Sequence, residues 1–242
     1  YAVASQRVFE LLLLFNSALL LLEMLLNLFT GVDTALARGL LPPIVCLFYI
    51  LNPVPEALWV FYLSVMMNGE QWRPSGRKAF LILLPVILNA ALSLASMTTG
   101  WLFTVDAENR YARGPYFALM ALSCYSYVVF YIALALRKRG FLHKREYLTL
   151  LCAALPPILA GILQSLFYGI SILWLVLAFS LLIFYMNIQS TQVYTDHLTG
   201  LANRRKFDAL LWQLPDKRRP MGGMLIDVDG FKQINDVHGH LT

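Results

Sequence analysis

Two short runs near the C-terminus carry the side chains best suited to phosphate chemistry. The first, 196–205, reads Asp-His-Leu-Thr-Gly-Leu-Ala-Asn-Arg-Arg; the second, 226–236, reads Ile-Asp-Val-Asp-Gly-Phe-Lys-Gln-Ile-Asn-Asp. The apolar stretch 224–228 predicts a buried strand that delivers Asp227 and Asp229 at its end, beside a polar loop. Carboxylates presented in that way suit a hard cation that carries phosphates. The first run predicts a wide turn feeding a helix over 204–214, with Asn203 as its N-cap.

Taken together, and in this order, the two runs resemble the opening of the GGDEF family of diguanylate cyclases, whose members open with DxLTGLxNRR and continue with DxDxFKxxND. The resemblance covers 196–242 and does not reach the glycine-rich GG(D/E)EF hairpin, nor an RxxD inhibitory-site motif ahead of it. The expectation is therefore a natural protein that continues past Thr242, with this stretch too short to bury a core by itself. What the resemblance implies is a pair of protomers, each holding GTP and Mg²⁺, that face each other to make cyclic di-GMP. By position, Asp227 and the carbonyl of Val228 would hold magnesium, and Lys232 would offset charge on the phosphates. Asn235, with His240 close by, would contact the guanine nucleotide. Asp229 and Asp236 belong to the pattern in structural roles, Asp196 with Arg204 or Arg205 ties the opening turn, and His238 sits at a variable position.

Everything upstream is of another kind. Hydrophobic residues make up 59% of the chain and charged residues 14%, with a mean hydropathy of +0.63. A soluble domain carries nearer a quarter charged residues, so the composition is that of a membrane protein. The net charge of +5 reads as loop lysine and arginine placed for topology, not as a nucleic-acid surface. Cys46, Cys124 and Cys152 lie in apolar runs without metal-ligand spacing and read as free, buried thiols.

A spanning helix needs about twenty mostly apolar residues. Seven candidates satisfy this, at 7–30, 35–52, 54–69, 78–99, 115–137, 147–167 and 170–190. Between the second and third, Asn52-Pro53-Val54-Pro55 predicts a tight turn, because proline removes backbone donors and disfavours helix in the residue before it. Seven spans with the C-terminal end in the cytoplasm place the N-terminus outside. Arg38, Arg73, Arg77 and Lys78 then lie inside, together with the basic cluster 137–145, while Arg7, Arg110 and Arg113 lie outside. The expected fold is thus mainly α: a seven-helix membrane bundle (1–190), a helical signalling linker (186–198), and the truncated start of an α+β GGDEF domain (199–242). The location is a bacterial inner membrane.

Within the spans, Asn16, Glu23 and Asn27 share one face of the first helix and are expected to point into the bundle, with Asn89, Ser123, Tyr125 and Gln164 as partners for the carboxylate. Interhelical hydrogen bonding and a ligand pocket both remain open readings. The prolines at 42–43, 85 and 156–157 read as tolerated kinks or as hinges. The loop 101–114 has the pattern of a β-hairpin, either a lid over the bundle or a packed connection held by Trp101 and Tyr111. Asn16, Glu23, Trp101, Tyr111 and Arg113 are the sensor-site candidates. The module resembles the seven-helix sensory modules that precede bacterial signalling domains. It implies a membrane-bound sensory diguanylate cyclase, with GTP, an apolar or amphipathic ligand, lipid and a second copy of the chain as partners. The alternative is a ligand-binding receptor whose GGDEF part is a non-catalytic docking module. A transporter is disfavoured by the lack of an internal repeat and the few intramembrane charges.

Overall fold

The computed structural model describes residues 4–68, 73–137, 144–167, 169–193, 196, 199, 201–213, 222, 224–227 and 229–230. It divides into two units, Tyr1–Ile188 and Gln189–Thr242.

The first unit is a helical bundle with one small hairpin. Its helices are α1 (Ala4–Phe29), α2 (Ala35–Leu51), α3 (Val54–Asn68), α4 (Gly76–Thr99), α5 (Phe117–Arg137), α6 (Lys144–Leu166) and α7 (Leu173–Val193), with strands β1 (Phe103–Val105) and β2 (Tyr111–Arg113) between α4 and α5. All seven helices fall where the apolar runs predict them. Among the described residues, four helical stretches are long and apolar enough to cross a membrane: Ser5–Phe29, Ala35–Val65, Gly76–Thr99 and Phe117–Leu134. Two shorter apolar stretches, Ala154–Leu166 and Leu173–Met186, accompany them.

The break at Asn52-Pro53-Val54-Pro55 corrects the expected topology. Asn52 keeps right-handed helical angles (φ −51°, ψ −48°), and the Ala57 N–H bonds the Pro53 carbonyl at 3.2 Å. The chain therefore continues in one direction, and α2 with α3 forms one interrupted span, not a hairpin of two. Packing agrees. The start of α1, with Val8, Phe9 and Leu12, shares a core with Val60 and Leu63 of α3. Its later part, with Leu19, Leu22 and Leu26, shares another with Leu41 and Val45 of α2. One straight helix lies along both. Proline supplies no N–H, so the Tyr49 carbonyl, four residues before Pro53, loses its helical donor. Asn89 of α4 replaces it, its Nδ2 donating to Tyr49 O at 2.7 Å.

The ends of the helices follow from this. The α1–α2 turn and the hairpin meet: Gly31 N–H donates to Asn109 O at 2.7 Å, and Asn109 Nδ2 donates to Phe29 O at 2.9 Å and Val32 O at 3.0 Å. These two connections were expected on opposite sides of the membrane; they share one end of the bundle. The α6–α7 connection joins them there, since Arg113 donates to the carbonyls of Ser165 (3.0 Å) and Gln164 (2.5 Å). The start of α1, the end of α3, the start of α4, the end of α5 and the start of α6 belong to the far end.

The hairpin is as predicted, with Phe103 opposite Arg113 and Val105 opposite Tyr111. It is built into the bundle. Leu102 and Phe103 are buried; Ser96 Oγ of α4 accepts from both of their N–H groups and donates to the Phe103 carbonyl. Gly114 is required where the two arms close, because a Cβ there would stand 2.3 Å from Gly100 O and 2.4 Å from Trp101 O.

In the second unit the N-capped helix appears as expected, as α8 (Arg204–Gln213). The buried strand does not. Among 224–227 no strand is formed, and Met224, Leu225 and Ile226 are 84%, 98% and 77% exposed. An isolated strand has no ladder to satisfy its backbone and no sheet to cover its apolar face, and the described residues place no other strand beside it.

Candidate functional site

The bundle holds an open cavity of ≈160 Å³. Four segments build its walls. The interrupted span gives Tyr49, Asn52, Glu56 and Trp59; α5 gives Met120, Cys124 and Tyr127; α6 gives Pro157, Gly161 and Gln164; α7 gives Leu173, Leu177, Ser180 and Leu181. The hairpin contributes Tyr111 and Arg113, at the hairpin end of the bundle. Spacing of four, three and one along α7 is one helical face, so the helix that leads to the second unit forms a whole wall.

Polar groups at this end are mutually held. Tyr49 and Tyr111 hydroxyls lie 2.7 Å apart. Arg113 sits 4.4 Å above the Phe117 ring while donating to the last carbonyls of α6, groups that a helix C-terminus leaves without donors. Gln164 then turns its own side chain outward from α6 and accepts from the N–H groups of Ile172 (3.2 Å) and Leu173 (3.1 Å). It thereby caps α7 as a side-chain acceptor at an N-terminus does. Hairpin, α6 and α7 are linked through consecutive bonds at the hairpin end of the bundle.

Deeper in, the sequence reading missed the carboxylate of greatest interest. Glu56 stands in the first turn of α3 and lines the cavity, and its Oε2 is buried without a hydrogen-bond partner. Nearby Trp59 Nε1 is in the same condition. Cys124 donates from Sγ to Asn52 Oδ1 at 3.5 Å, and Tyr127 donates its hydroxyl to Ile82 O. The signal that could have found Glu56 was the break itself. An acid directly after a Pro-x-Pro interruption sits at a helix N-terminus inside the bundle, where the dipole favours negative charge.

The predicted sensor residues divide. Tyr111 and Arg113 reach the cavity. Trp101 does not; it is 42% exposed and packs edge-on against Tyr116 at 6.1 Å. Asn16 and Glu23 are buried as expected but lie outside the cavity lining. Glu23 is met by the Ser171 hydroxyl, in place of the four partners anticipated. Asn27, at the end of the supposed polar face, is exposed. Cys46 and Cys124 are free thiols; the Cys152 side chain lies outside the described residues.

In the second unit the opening turn is tied by Asp196. Its carboxylate accepts from the Thr199 N–H at 2.9 Å and hydroxyl at 2.8 Å, and its own N–H donates to Leu201 O at 2.8 Å. Asn203 Oδ1 caps α8 by accepting from Lys206 N–H at 3.2 Å. Arg204 lies 3.9 Å from Asp208, one helical turn on. Asp227 and Asp229 are both exposed, and Asp229 leads into Gly230, which takes a left-handed φ of 72°. Val228, Lys232, Asn235, Asp236, His238 and His240 lie outside the described residues. Among the described residues no three His, Cys, Asp or Glu side chains gather to hold a metal. Magnesium bound through one or two carboxylates plus substrate phosphates does not need such a cage, and an exposed Asp227 fits that oxygen-only role.

Residues 193–242 match the family described as "Diguanylate cyclase, GGDEF domain". Over this stretch the chain is similar to that family. The match begins at Val193, the last residue of α7, so the matched stretch follows the last helix of the bundle directly. An uncharacterized membrane protein of Staphylococcus haemolyticus is 43% identical over 49 residues, 19% of this chain and 14% of that protein. One from Staphylococcus saprophyticus is 41% identical over the same length and shares. The aligned stretch thus spans about a seventh of either relative. No solved structure matches the chain.

Proposed function

We propose that this is a membrane-bound sensory diguanylate cyclase, in which the bundle takes a ligand and the GGDEF part makes cyclic di-GMP from two GTP. The observation that carries the reading is the direct succession of α7 and the GGDEF match. The helix that walls the cavity runs on into the catalytic family's sequence. A ligand that favours one arrangement of α7 would bias the domain behind it, and only to the extent that it binds the two arrangements differently.

In the GGDEF reaction the 3′-hydroxyl of each GTP attacks the α-phosphate of the other, releasing pyrophosphate, so two protomers must face each other. Asp227 and the Val228 carbonyl would hold Mg²⁺, which neutralises phosphate charge when bound. Lys232 would offset further charge developing on the phosphates, and Asn235 and His240 would position the guanine nucleotide. These roles extend over 199–242, with 1–190 as the sensor and 186–198 as the linker.

Counting the four long apolar stretches and the two shorter ones as spans gives six membrane segments in place of seven, with orientation taken from charge. Arg7, Arg73, Arg77, Lys78 and the cluster 137–145 belong to the far end by sequence position; Arg38, Arg110 and Arg113 belong to the hairpin end. Arg38 is moreover paired with Asp33 at 2.7 Å. The positive-inside rule puts the far end in the cytoplasm, the N-terminus and GGDEF segment both inside.

The test uses the protein with its entire GGDEF domain, purified with Mg²⁺ and GTP. Cyclic di-GMP is the expected product, and Asp227→Ala should lower its formation at least about 100-fold, roughly 3 kcal/mol of barrier. A folded Asp227→Ala protein with near-normal turnover would overturn the assignment. Absence of product from the unaltered protein would favour a receptor with a non-catalytic GGDEF module.

A further inference from the structure

The cavity's chemistry is lopsided. Among the described residues that line it there is one carboxylate, Glu56, and one guanidinium, Arg113. The guanidinium is committed to the Ser165 and Gln164 carbonyls and to the Phe117 ring. The carboxylate has a buried oxygen with no partner in the protein. The same cavity is lined by the rings of Trp59, Tyr127, Tyr131, Phe48, Tyr49 and Tyr125.

A buried carboxylate oxygen without a donor is costly unless a ligand or a proton meets it. An amine that enters the cavity can meet it either as a cation or by taking the carboxyl's proton, and both routes leave an ammonium–carboxylate pair in place. A cation is then the complementary guest, and aromatic walls attract organic cations further. Size narrows the class. The volume of ≈160 Å³ is close to the ~150 Å³ of an engineered cavity that holds one benzene. Trp59 Nε1–H, also without a partner, offers a donor to any acceptor on the same molecule.

We infer that the cavity binds an organic ammonium ion about one aromatic ring in size, with its charge on Glu56 and its body against the aromatic wall. This names the ligand class for the sensory reading and rests on that reading's premise that the cavity takes a ligand. Glu56 is the specificity-determining group, Trp59 a second polar contact, and the α7 face of Leu173, Leu177 and Ser180 the surface through which occupancy is felt.

The experiment measures binding, not turnover. The full chain in lipid nanodiscs is titrated calorimetrically with phenethylammonium, 2-phenylethanol and 3-phenylpropionate, and empty nanodiscs supply the partition background. Phenethylammonium is expected to bind at least tenfold more tightly than the alcohol of the same skeleton, and the carboxylate most weakly. Glu56→Gln should remove the preference for the ammonium while leaving the alcohol's affinity within about twofold. Should Glu56→Gln fail to fold, Glu56→Asp takes its place and should keep the preference at reduced affinity. Equal affinities for ammonium and alcohol, a preference that survives Glu56→Gln, or no saturable binding of any probe would each overturn the inference. Ammonium binding that leaves cyclic di-GMP formation unchanged sustains the inference and counts against the sensory coupling instead.

Discussion

Both units leave large apolar side chains uncovered, and the backbone beneath them gives that exposure opposite meanings. In the bundle, Leu14, Leu122 and Val129 are 62%, 66% and 67% exposed, yet each sits in a long helix whose backbone groups are bonded within the segment. Such a surface is stable in hydrocarbon, where side chains need no cover but peptide groups need partners. In the second unit, Met224, Leu225 and Ile226 are more exposed still and lie in no helix or strand. That stretch has neither cover nor ladder. Apolar exposure therefore marks a lipid surface in the first unit and a strand sequence without a sheet neighbour among the described residues in the second. The polar groups follow the same division. The bundle answers the Tyr49 carbonyl with Asn89 and the last carbonyls of α6 with Arg113, while in the second unit Asp196 ties a local turn and Asn203 caps α8.

The prediction with the largest effect is all-or-none and bears on the bundle as a lipid-bound object. Ser5 lies in the first turn of α1, and Asn109 clasps the other end of that helix at Phe29. At about 1.5 Å per residue, the 26 residues of α1 separate these ends by roughly 39 Å, a full bilayer core. Single cysteines at Ser5 and Glu108 should react with an impermeant maleimide from opposite sides of the membrane. Labelling of both from one side would restore seven spans and an outside N-terminus.

Next come changes at the hairpin, where cover and backbone pairing are both complete. Gly114→Ala forces a Cβ against the Gly100 and Trp101 carbonyls, and since neither is a flexible side chain the arms must separate. The expected cost is about 3 kcal/mol, read as a large fall in Tm in detergent; an unchanged Tm would contradict the packed hairpin. Asn109 holds a left-handed φ of 56° and two carbonyls of the α1–α2 connection. Asn109→Ala should lose about 2 kcal/mol through both strain and bonds. Asn109→Gly relieves the strain and should lose less; an equal loss would assign the whole effect to the bonds.

Much of this was legible in the sequence because it was local. Seven apolar runs, the hairpin between Trp101 and Gly114, and the Asn203 cap each depend on neighbours a few residues away, and each is found where the pattern puts it. The direction of the chain through Asn52-Pro53-Val54-Pro55 was not. Proline there forbids regular helical bonding but permits both a reversal and an interrupted helix, and the choice rests on Asn89, which is remote in sequence and supplies the missing donor. The site suffered similarly. Glu23 drew notice as an acid in mid-helix, whereas Glu56 was passed over, because nothing local shows that the break before it lies inside the bundle. Trp101 and Tyr111 read alike as loop aromatics, but Trp101 precedes β1 and packs on Tyr116, while Tyr111, within β2, reaches the cavity.

The smallest predicted effect sharpens the opening contrast most directly, by removing the same side chain from two settings in the bundle. Leu102 is fully buried beneath the hairpin, in the cluster with Phe48, Tyr49 and Trp174; Leu102→Ala should cost about 2–4 kcal/mol through lost transfer energy and the cavity left behind. Leu122, on α5, has two thirds of its surface open. If that surface faces lipid, acyl chains fill the space that Leu122→Ala vacates, no cavity forms, and the helix keeps a residue of higher propensity. The change should stay within about 0.5 kcal/mol, measured by denaturation in mixed micelles. Lysine at the same position separates lipid from water: Leu122 is in the second turn of α5, so Leu122→Lys should hinder membrane insertion by about 1 kcal/mol, less than the ~3 kcal/mol of a lysine at mid-span, but would be nearly silent on a wet surface. A costly Leu122→Ala would mean that another chain covers this face in the assembled protein, and a silent Leu122→Lys that water does.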